Sequence, residues 1–346
     1  AKENLSIQVH PDDDYALPVE KEYGKNEMWY VMDCEPDSYL YIGFKQNVTE
    51  EEVRRRIQEE TLEEIRVRVG QPMIFVYGNR ERFLSREPPY LTEKCRAPWI
   101  VTEQQMRQML NFMCSYSLYA YTKDLNMGFL TLPGGNRVGI AGEMVQEERR
   151  SAAMEYPCFF NIRIAKEKKG CAEGILPYIC QGMDIYHTLI AAPPGVGKTT
   201  YLRDLIRLLS GEEAAGRNIT VVDERYEIAA GVHGVPQNDL GMRTDVISGC
   251  RKEEAMLLAL RTMKPDIIAV DELGGERDDL AVDRIVTCGV RLLATAHAGS
   301  MEQLWQQRRH RVWMERQIFQ RYVFLKKMPD GSRRFFIYNE KGERMC

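Results

Sequence analysis

The chain lacks any apolar run of the roughly 18 to 20 residues that a membrane-crossing helix requires. Its first residues, AKENLSIQ, carry no apolar signal core. A role at a membrane would therefore be played on its surface or through a partner. No C-x-x-C pair occurs. The nine cysteines (Cys34, Cys95, Cys114, Cys158, Cys171, Cys180, Cys250, Cys288 and Cys346) are scattered and odd in number, which reads as reduced thiols in a cytoplasmic protein. An excess of one charge is missing too. A formal net charge of −4 over 346 residues gives no general pull toward nucleic acid or anionic lipid. Internal repeats and low-complexity tracts are absent, and only five histidines are present, so each histidine position carries information.

Three textures follow one another. Residues 1–60 are predicted to be β-rich, with SIQVH and MWYVM as strands. Residues 61–180 read as an α+β domain. In it, EEIRVRVGQPMIFVYG gives two strands around a turn at Gly70–Pro72, and GFLTLPGGNRVGIAG gives a hairpin turning at Pro133–Asn136. Between them, Thr102 and Gln105 form a capping box, and Met106, Met109, Leu110 and Met113 follow helical spacing on one face. Tyr116, Tyr119 and Tyr121 are expected to pack in a core or a subunit contact. Residues 181–346 alternate strand and helix, the mark of an α/β parallel sheet. Strands are expected near 185–191, 219–222, 267–270 and 290–295. A closing hairpin is expected from RYVFLKK and RRFFIYN.

The chemistry concentrates in this last region. Ala192-Pro-Pro-Gly-Val-Gly-Lys-Thr-Thr200 lies between an apolar strand and an amphipathic helix carrying Leu202, Leu205, Ile206 and Leu209. Pro194, Gly195, Val196 and Gly197 would wrap phosphate oxygens in backbone N–H groups, with Thr200 on the following turn. Lys198 would reach the β- and γ-phosphates, and the Thr199 hydroxyl would ligate Mg²⁺. The usual first glycine of such a loop is Ala192 here, the smallest substitute. IIAVDE at 267–272 is a buried strand ending in two carboxylates. Asp271 would hold Mg²⁺ and Glu272 would polarise the attacking water. VVDER places Asp223, Glu224 and Arg225 at a neighbouring strand end, with a nucleotide-binding role expected for the two acids. LLATAH places His297 at another, as a sensor of the γ-phosphate. A glycine turn with a chance Gly-Lys-Thr, a solvated strand end and a packing histidine are the plain alternatives. The spacing of the first two motifs favours a P-loop ATPase using ATP and Mg²⁺.

From about residue 62 onward the chain resembles the stage III sporulation protein AA family, RecA-like ATPases of endospore formers related to type II and type IV secretion ATPases. The resemblance rests on EEIRVRVGQP, SYSLYAYTKDLNMGFLTLPGGNRVGIAG, NIRIAKEKKGCA, PPGVGKTT, VVDERYEIA, MKPDIIAVDELGGERD and TAHAGS, in the family's order. It implies a RecA-like P-loop core, a homo-oligomeric, hexameric ring, and ATP between subunits. It also implies a mother-cell location, peripheral at the membrane, and partners among the membrane proteins of a secretion-like channel complex. Secretion ATPases place arginines in trans against the γ-phosphate. Arg137, Arg163, Arg225 and Arg277 are candidates, beside the ordinary role of each in a surface ion pair.

The first sixty residues resemble a different family, type I phosphomannose isomerase, a zinc cupin. LSIQVHPDDDYA, GKNEMWYVMDCEPDSYLYIGFK and TEEEVRRRI carry the likeness. It implies Gln8, His10 and Glu27 as a vestigial zinc set. About sixty residues cannot close a cupin barrel, because a fragment leaves strand edges open, so no isomerase activity is expected. Four readings thus stand: a sporulation motor ATPase, a RecA-like motor on nucleic acid, a mannose-6-phosphate isomerase, and a nucleotide-binding scaffold of slow turnover. The near-neutral charge weighs against the second, since nucleic-acid motors carry a basic track. The run RRHRVWMERQ at 308–317 is expected to be a solvated helix face.

Overall fold

The computed structural model describes residues 62–346 apart from 79, 88–89, 146–152, 183, 212–215 and 329–330. The cupin-like segment, with Gln8, His10 and Glu27, lies outside the described residues. The described residues form two compact units, 62–130 with 138–164, and 131–137 with 165–346.

The first unit is built from β1 (Glu64–Arg68), β2 (Ile74–Tyr77), β3 (Arg80–Leu84), β4 (Leu91–Thr92), α1 (Glu103–Met113), α2 (Thr122–Asn126), β5 (Phe129–Thr131), β6 (Arg137–Val145) and β7 (Ala153–Arg163). Its strands make one sheet in the order β4-β3-β2-β1-β7-β6-β5. β1 and β2 pair antiparallel, Ile65 opposite Phe75, around a turn that puts Gly70 at φ 73°. The capping box closes in both directions. The Gln105 N–H donates to Thr102 Oγ1 at 3.2 Å, and the Thr102 N–H donates to Gln105 Oε1 at 3.0 Å. The four apolar residues of α1 foreseen by spacing are buried. Of the two roles expected of the tyrosines, Tyr116 and Tyr119 do not pack in a core, since both are exposed. After Met113 the chain turns through Ser115 and Tyr116 at positive φ, which breaks the helical face that would have carried them inward.

The second unit is built from α3 (Leu176–Ile179), β8 (Cys180–Gln181), β9 (Asp184–Ile185), β10 (Thr188–Ala191), α4 (Lys198–Ser210), β11 (Ile219–Asp223), β12 (Thr244–Ser248), α5 (Lys252–Thr262), β13 (Ile267–Val270), α6 (Asp278–Thr287), β14 (Arg291–Ala296), α7 (Met301–Gln306), α8 (Arg308–Glu315), β15 (Arg321–Lys327) and β16 (Arg333–Asn339). The main sheet runs β12-β11-β13-β14-β10-β15-β16. It is parallel from β12 to β15, and β16 returns antiparallel. Side chains alternate across the pleat. Ile267 and Ala269 face the layer of α4, with Leu202, Leu205, Ile206 and Leu209. Ile268 and Val270 face the layer of α5 and α6, with Met256, Ala259, Val282 and Ile285. Helices therefore cover both faces, and the carboxyl ends of β10, β11, β13 and β14 share one edge. In the 308–317 run, α8 turns His310 and Trp313 inward and leaves Arg308, Arg311, Val312 and Glu315 exposed.

Segment 165–180 belongs to this second unit, although its texture groups it with the preceding domain. The reason is Asp204, a carboxylate buried in the middle of α4. It accepts from the Gly170 N–H at 3.0 Å, the Ala172 N–H at 2.8 Å and Arg207 at 2.8 Å. Ala172, Ile175 and Ile179 then complete the α4 layer. Burial alone would raise the Asp204 carboxyl, but the two amides and the Arg207 charge outweigh it and hold the group below the ordinary range. Asp204→Asn is accordingly expected to lower stability by about 1–3 kcal/mol at pH 7, measured by urea denaturation. A depressed folded pKa adds stability above the unfolded value, about 3.9, and loses it as pH falls through the folded value. The deficit of the variant should therefore shrink below about pH 4.

Candidate functional site

The loop from Ala192 to Gly197 leaves the carboxyl end of β10 and enters α4 at Lys198. Two glycines shape it. Gly195 lies at φ 76° and Gly197 at φ 112°, the latter being the residue that caps α4. A side chain at either position would be strained. Ala192 is fully buried and donates its N–H to Ala296 O at 3.3 Å, so the methyl group in place of glycine is accommodated by packing.

Lys198 begins α4 and is buried apart from 7% of its surface. Its Nζ is 3.0 Å from His297 Nδ1. Burial lowers its pKa, and the charges of Asp271, Glu272 and Glu227 only partly offset this. Thr199 Oγ1 donates to Asp271 Oδ2 at 2.7 Å. Thr295 on β14 holds the other oxygen of Asp271 and also accepts the Glu272 N–H at 2.8 Å. The first turn of α4 and the neighbouring strands β13 and β14 thus fix the orientation of one carboxylate beside the Thr199 hydroxyl.

Glu272 stands just beyond β13 at φ 51°. One carboxylate oxygen meets His297 Nε2 at 2.8 Å and the other meets the Arg225 guanidinium at 2.6 Å. Burial works to raise its pKa. The His297 hydrogen bond and the charges of Arg225, His297 and Lys252 outweigh burial, so the carboxyl is held below the ordinary glutamate range. His297 therefore touches Lys198 through Nδ1 and Glu272 through Nε2.

Asp223 departs from the ligand-facing role expected of it. It is 2% exposed, and its carboxylate accepts the N–H groups of Glu227 at 2.8 Å, Ile228 at 3.1 Å and Ala229 at 2.8 Å. Three main-chain donors converge on this buried carboxylate, so it shapes the 223–229 loop. Glu224 sits 3.6 Å from Lys252. Of the four arginines singled out, Arg225 holds Glu272, Arg137 holds Glu227 at 2.9 Å, and Arg277 lies 3.7 Å from Glu253. Arg163 ends β7 in the first unit, and no carboxylate among the described residues pairs with it.

Several contributors were not foreseen from sequence. Lys252 at the start of α5 donates to Glu272 O at 2.5 Å, steadying the residue in its left-handed conformation. Arg203 is partly buried and donates to Glu227 O at 2.8 Å and Ile228 O at 2.9 Å. Arg333 donates from Nε to Val196 O at 2.7 Å. Asp278 accepts the N–H groups of Gly274 at 2.8 Å and Gly275 at 2.6 Å, and so sets the turn after Glu272. A Cβ on Gly274 would lie 2.8 Å from His310 Cε1, which is why glycine stands there. No local pattern announces Lys252, Arg203 or Arg333, because each acts on an atom 20 or more positions away, whereas Asp278 closes a turn onto amides three and four residues before it.

The family described as "Sporulation stage III, protein AA" matches residues 44–345, starting upstream of the change of texture near residue 60. Stage III sporulation protein AA of Bacillus subtilis (strain 168) is 34% identical over 284 residues, covering 81% of this chain and 88% of that protein. A probable mannose-6-phosphate isomerase of the same organism, GmuF, is 48% identical over 59 residues, but these make up only 17% of this chain and 18% of the isomerase. Among solved structures, the pilus retraction motor PilT with bound ADP superposes with a TM-score of 0.54 at 15% identity, covering 86% of this chain and 83% of that one. The ATPase DotB of Yersinia pseudotuberculosis superposes with a TM-score of 0.53 at 13% identity, covering 91% and 85%. These two establish a RecA-like α/β fold. The sequence match spans most of both proteins, and on that ground the chain belongs to the stage III sporulation protein AA family.

Proposed function

We propose that this protein binds ATP with magnesium and hydrolyses it to ADP and phosphate, as the motor of a secretion-like channel complex in endospore formation. The observation that carries the reading is one cluster. Lys198 and Thr199 open α4, and Asp271, Glu272 and His297 meet them from two neighbouring strand ends, within hydrogen-bonding distance at each step.

The residues present fit a magnesium nucleotide. Gly195 has open space where a Cβ would stand, and the first amides of α4 point out of the helix at its positive end. Thr199 and Asp271 offer hard oxygen donors 2.7 Å apart, the ligand type magnesium prefers. When bound, magnesium would neutralise charge on the phosphates. Lys198 would move its contact from His297 to a phosphate oxygen, a favourable exchange for a desolvated ammonium. Glu272, held as a carboxylate, would accept a proton from the attacking water. For that its contact with Arg225 must yield. Arg225 is 62% exposed, and an ion pair so open to solvent is worth little.

Membership of this family implies a mother-cell location, membrane-protein partners and a hexameric ring as part of the proposal, and Arg163, which pairs with no carboxylate among the described residues, is the candidate to act in trans. No helix among the described residues is long and apolar enough to cross a membrane, so docking to a membrane partner through a protein surface fits this reading. Calorimetric titration of the purified protein with ATP, with and without magnesium, tests the core of it. Saturable, magnesium-dependent uptake with phosphate release is expected. Absence of uptake by well-folded protein would overturn the motor reading.

A further inference from the structure

β15 runs parallel to β10, with Phe324 opposite Ala191, so its far end reaches the edge where the phosphate loop begins. β16 turns back from that edge, and its first residue is Arg333, opposite Lys327. The fold thus delivers an arginine from the end of the chain to a loop some 137 positions earlier. Arg333 Nε donates to Val196 O at 2.7 Å. A Cβ placed on Gly197 would stand 3.4 Å from Arg333 Nε, 3.8 Å from its Cδ and 3.9 Å from Thr200 Oγ1. The guanidinium, the bare face of Gly197 and the Thr200 hydroxyl therefore converge on one small volume beside the N-terminus of α4.

We propose that Arg333 is a direct phosphate contact for the nucleotide, supplied by the C-terminal hairpin within the same chain. The inference rests on the nucleotide reading above and adds a residue to it. Unlike Arg137, Arg225 and Arg277, Arg333 pairs with no carboxylate among the described residues. Its Nε is used on Val196, which leaves the two terminal nitrogens and their four N–H groups for an anion. A planar fork fixed through one nitrogen is already oriented, so little freedom is lost when a phosphate arrives. Its position also selects the phosphate. Lys198 leans toward His297 and Glu272, the γ-phosphate side of the site, whereas Arg333 stands on the Thr200 side, along the amides that cradle α- and β-phosphates in such loops. The contact is therefore common to ATP and ADP.

Affinity for fluorescent ADP and ATP, measured by titration with magnesium, tests this. Arg333→Gln should weaken both nucleotides by about tenfold or more and by the same factor, with an unchanged melting temperature. Arg333→Lys should recover part of the loss, because its ammonium can still reach a phosphate although it cannot also hold Val196 O. Equal losses in the Gln and Lys variants would reduce Arg333 to a clamp on Val196 and overturn the proposal. So would unchanged affinity, or a loss confined to ATP. Failure of the unaltered protein to bind either nucleotide would instead sink the underlying reading, so the two failures are distinguishable.

Discussion

Lys198→Ala is expected to weaken magnesium–ATP binding by about 100-fold or more, read by calorimetry or a fluorescent nucleotide. The ammonium is the buried cation at the head of α4, and burial already disfavours its charge. A phosphate anion would relieve that penalty, so the gain on binding should exceed that of an exposed lysine. Truncating one partner of a buried charged pair costs about 2–5 kcal/mol, and 100-fold corresponds to about 2.7 kcal/mol. The folded protein should tolerate the change. Among the described residues, the side-chain hydrogen bond of Lys198 is to His297 Nδ1, and His297 keeps Glu272 through its other nitrogen. A normal melting temperature with undiminished nucleotide affinity would remove Lys198 from the site.

Glu272→Gln should separate binding from chemistry. Its affinity for ATP should stay within a few-fold of the parent, while single-turnover hydrolysis falls by about 10²–10⁴-fold, the usual contribution of a general base. Glutamine keeps the length and one acceptor for His297, but it cannot take a proton from water. The pH dependence follows from the same environment. The folded pKa of Glu272 lies below its ordinary value because His297, Arg225 and Lys252 outweigh burial. The base form is therefore present at neutral pH and is lost only as pH falls through that lowered value. The parent rate should show no acid limb from this group above about pH 5, and the variant should lack the limb altogether. Parent-like hydrolysis by Glu272→Gln would assign the base elsewhere.

What could be read in advance follows the range over which each feature is encoded. The capping box at Thr102 and Gln105, α4 with its apolar stripe, the closing hairpin and the apolar strand before Asp271 all depend on neighbours within a few positions, and the structure carries each of them. β12 went unseen because it is an edge strand: TDVIS is only partly buried, so it needs no apolar run. A strand-end carboxylate such as Asp223 looks the same in sequence whether it faces a ligand or caps a loop. Only the path of 227–229 decides between them.

By itself, the sequence determined the class of fold, the glycine-rich loop that leads into α4 and the two carboxylates at a strand end. Glycine positions, side-chain periodicity and the order of strands and helices are local properties that the chain writes in its own order. Tertiary structure alone decided which charges meet: Lys252 on the Glu272 carbonyl, Arg225 on its carboxylate, Asp204 on segment 165–180 and Arg333 on the phosphate loop. A charged side chain reaches several ångströms and finds its partner across strands and helices far apart in the chain. Its pairing is therefore fixed by packing and desolvation once the sheet has formed, and no spacing in the sequence records it.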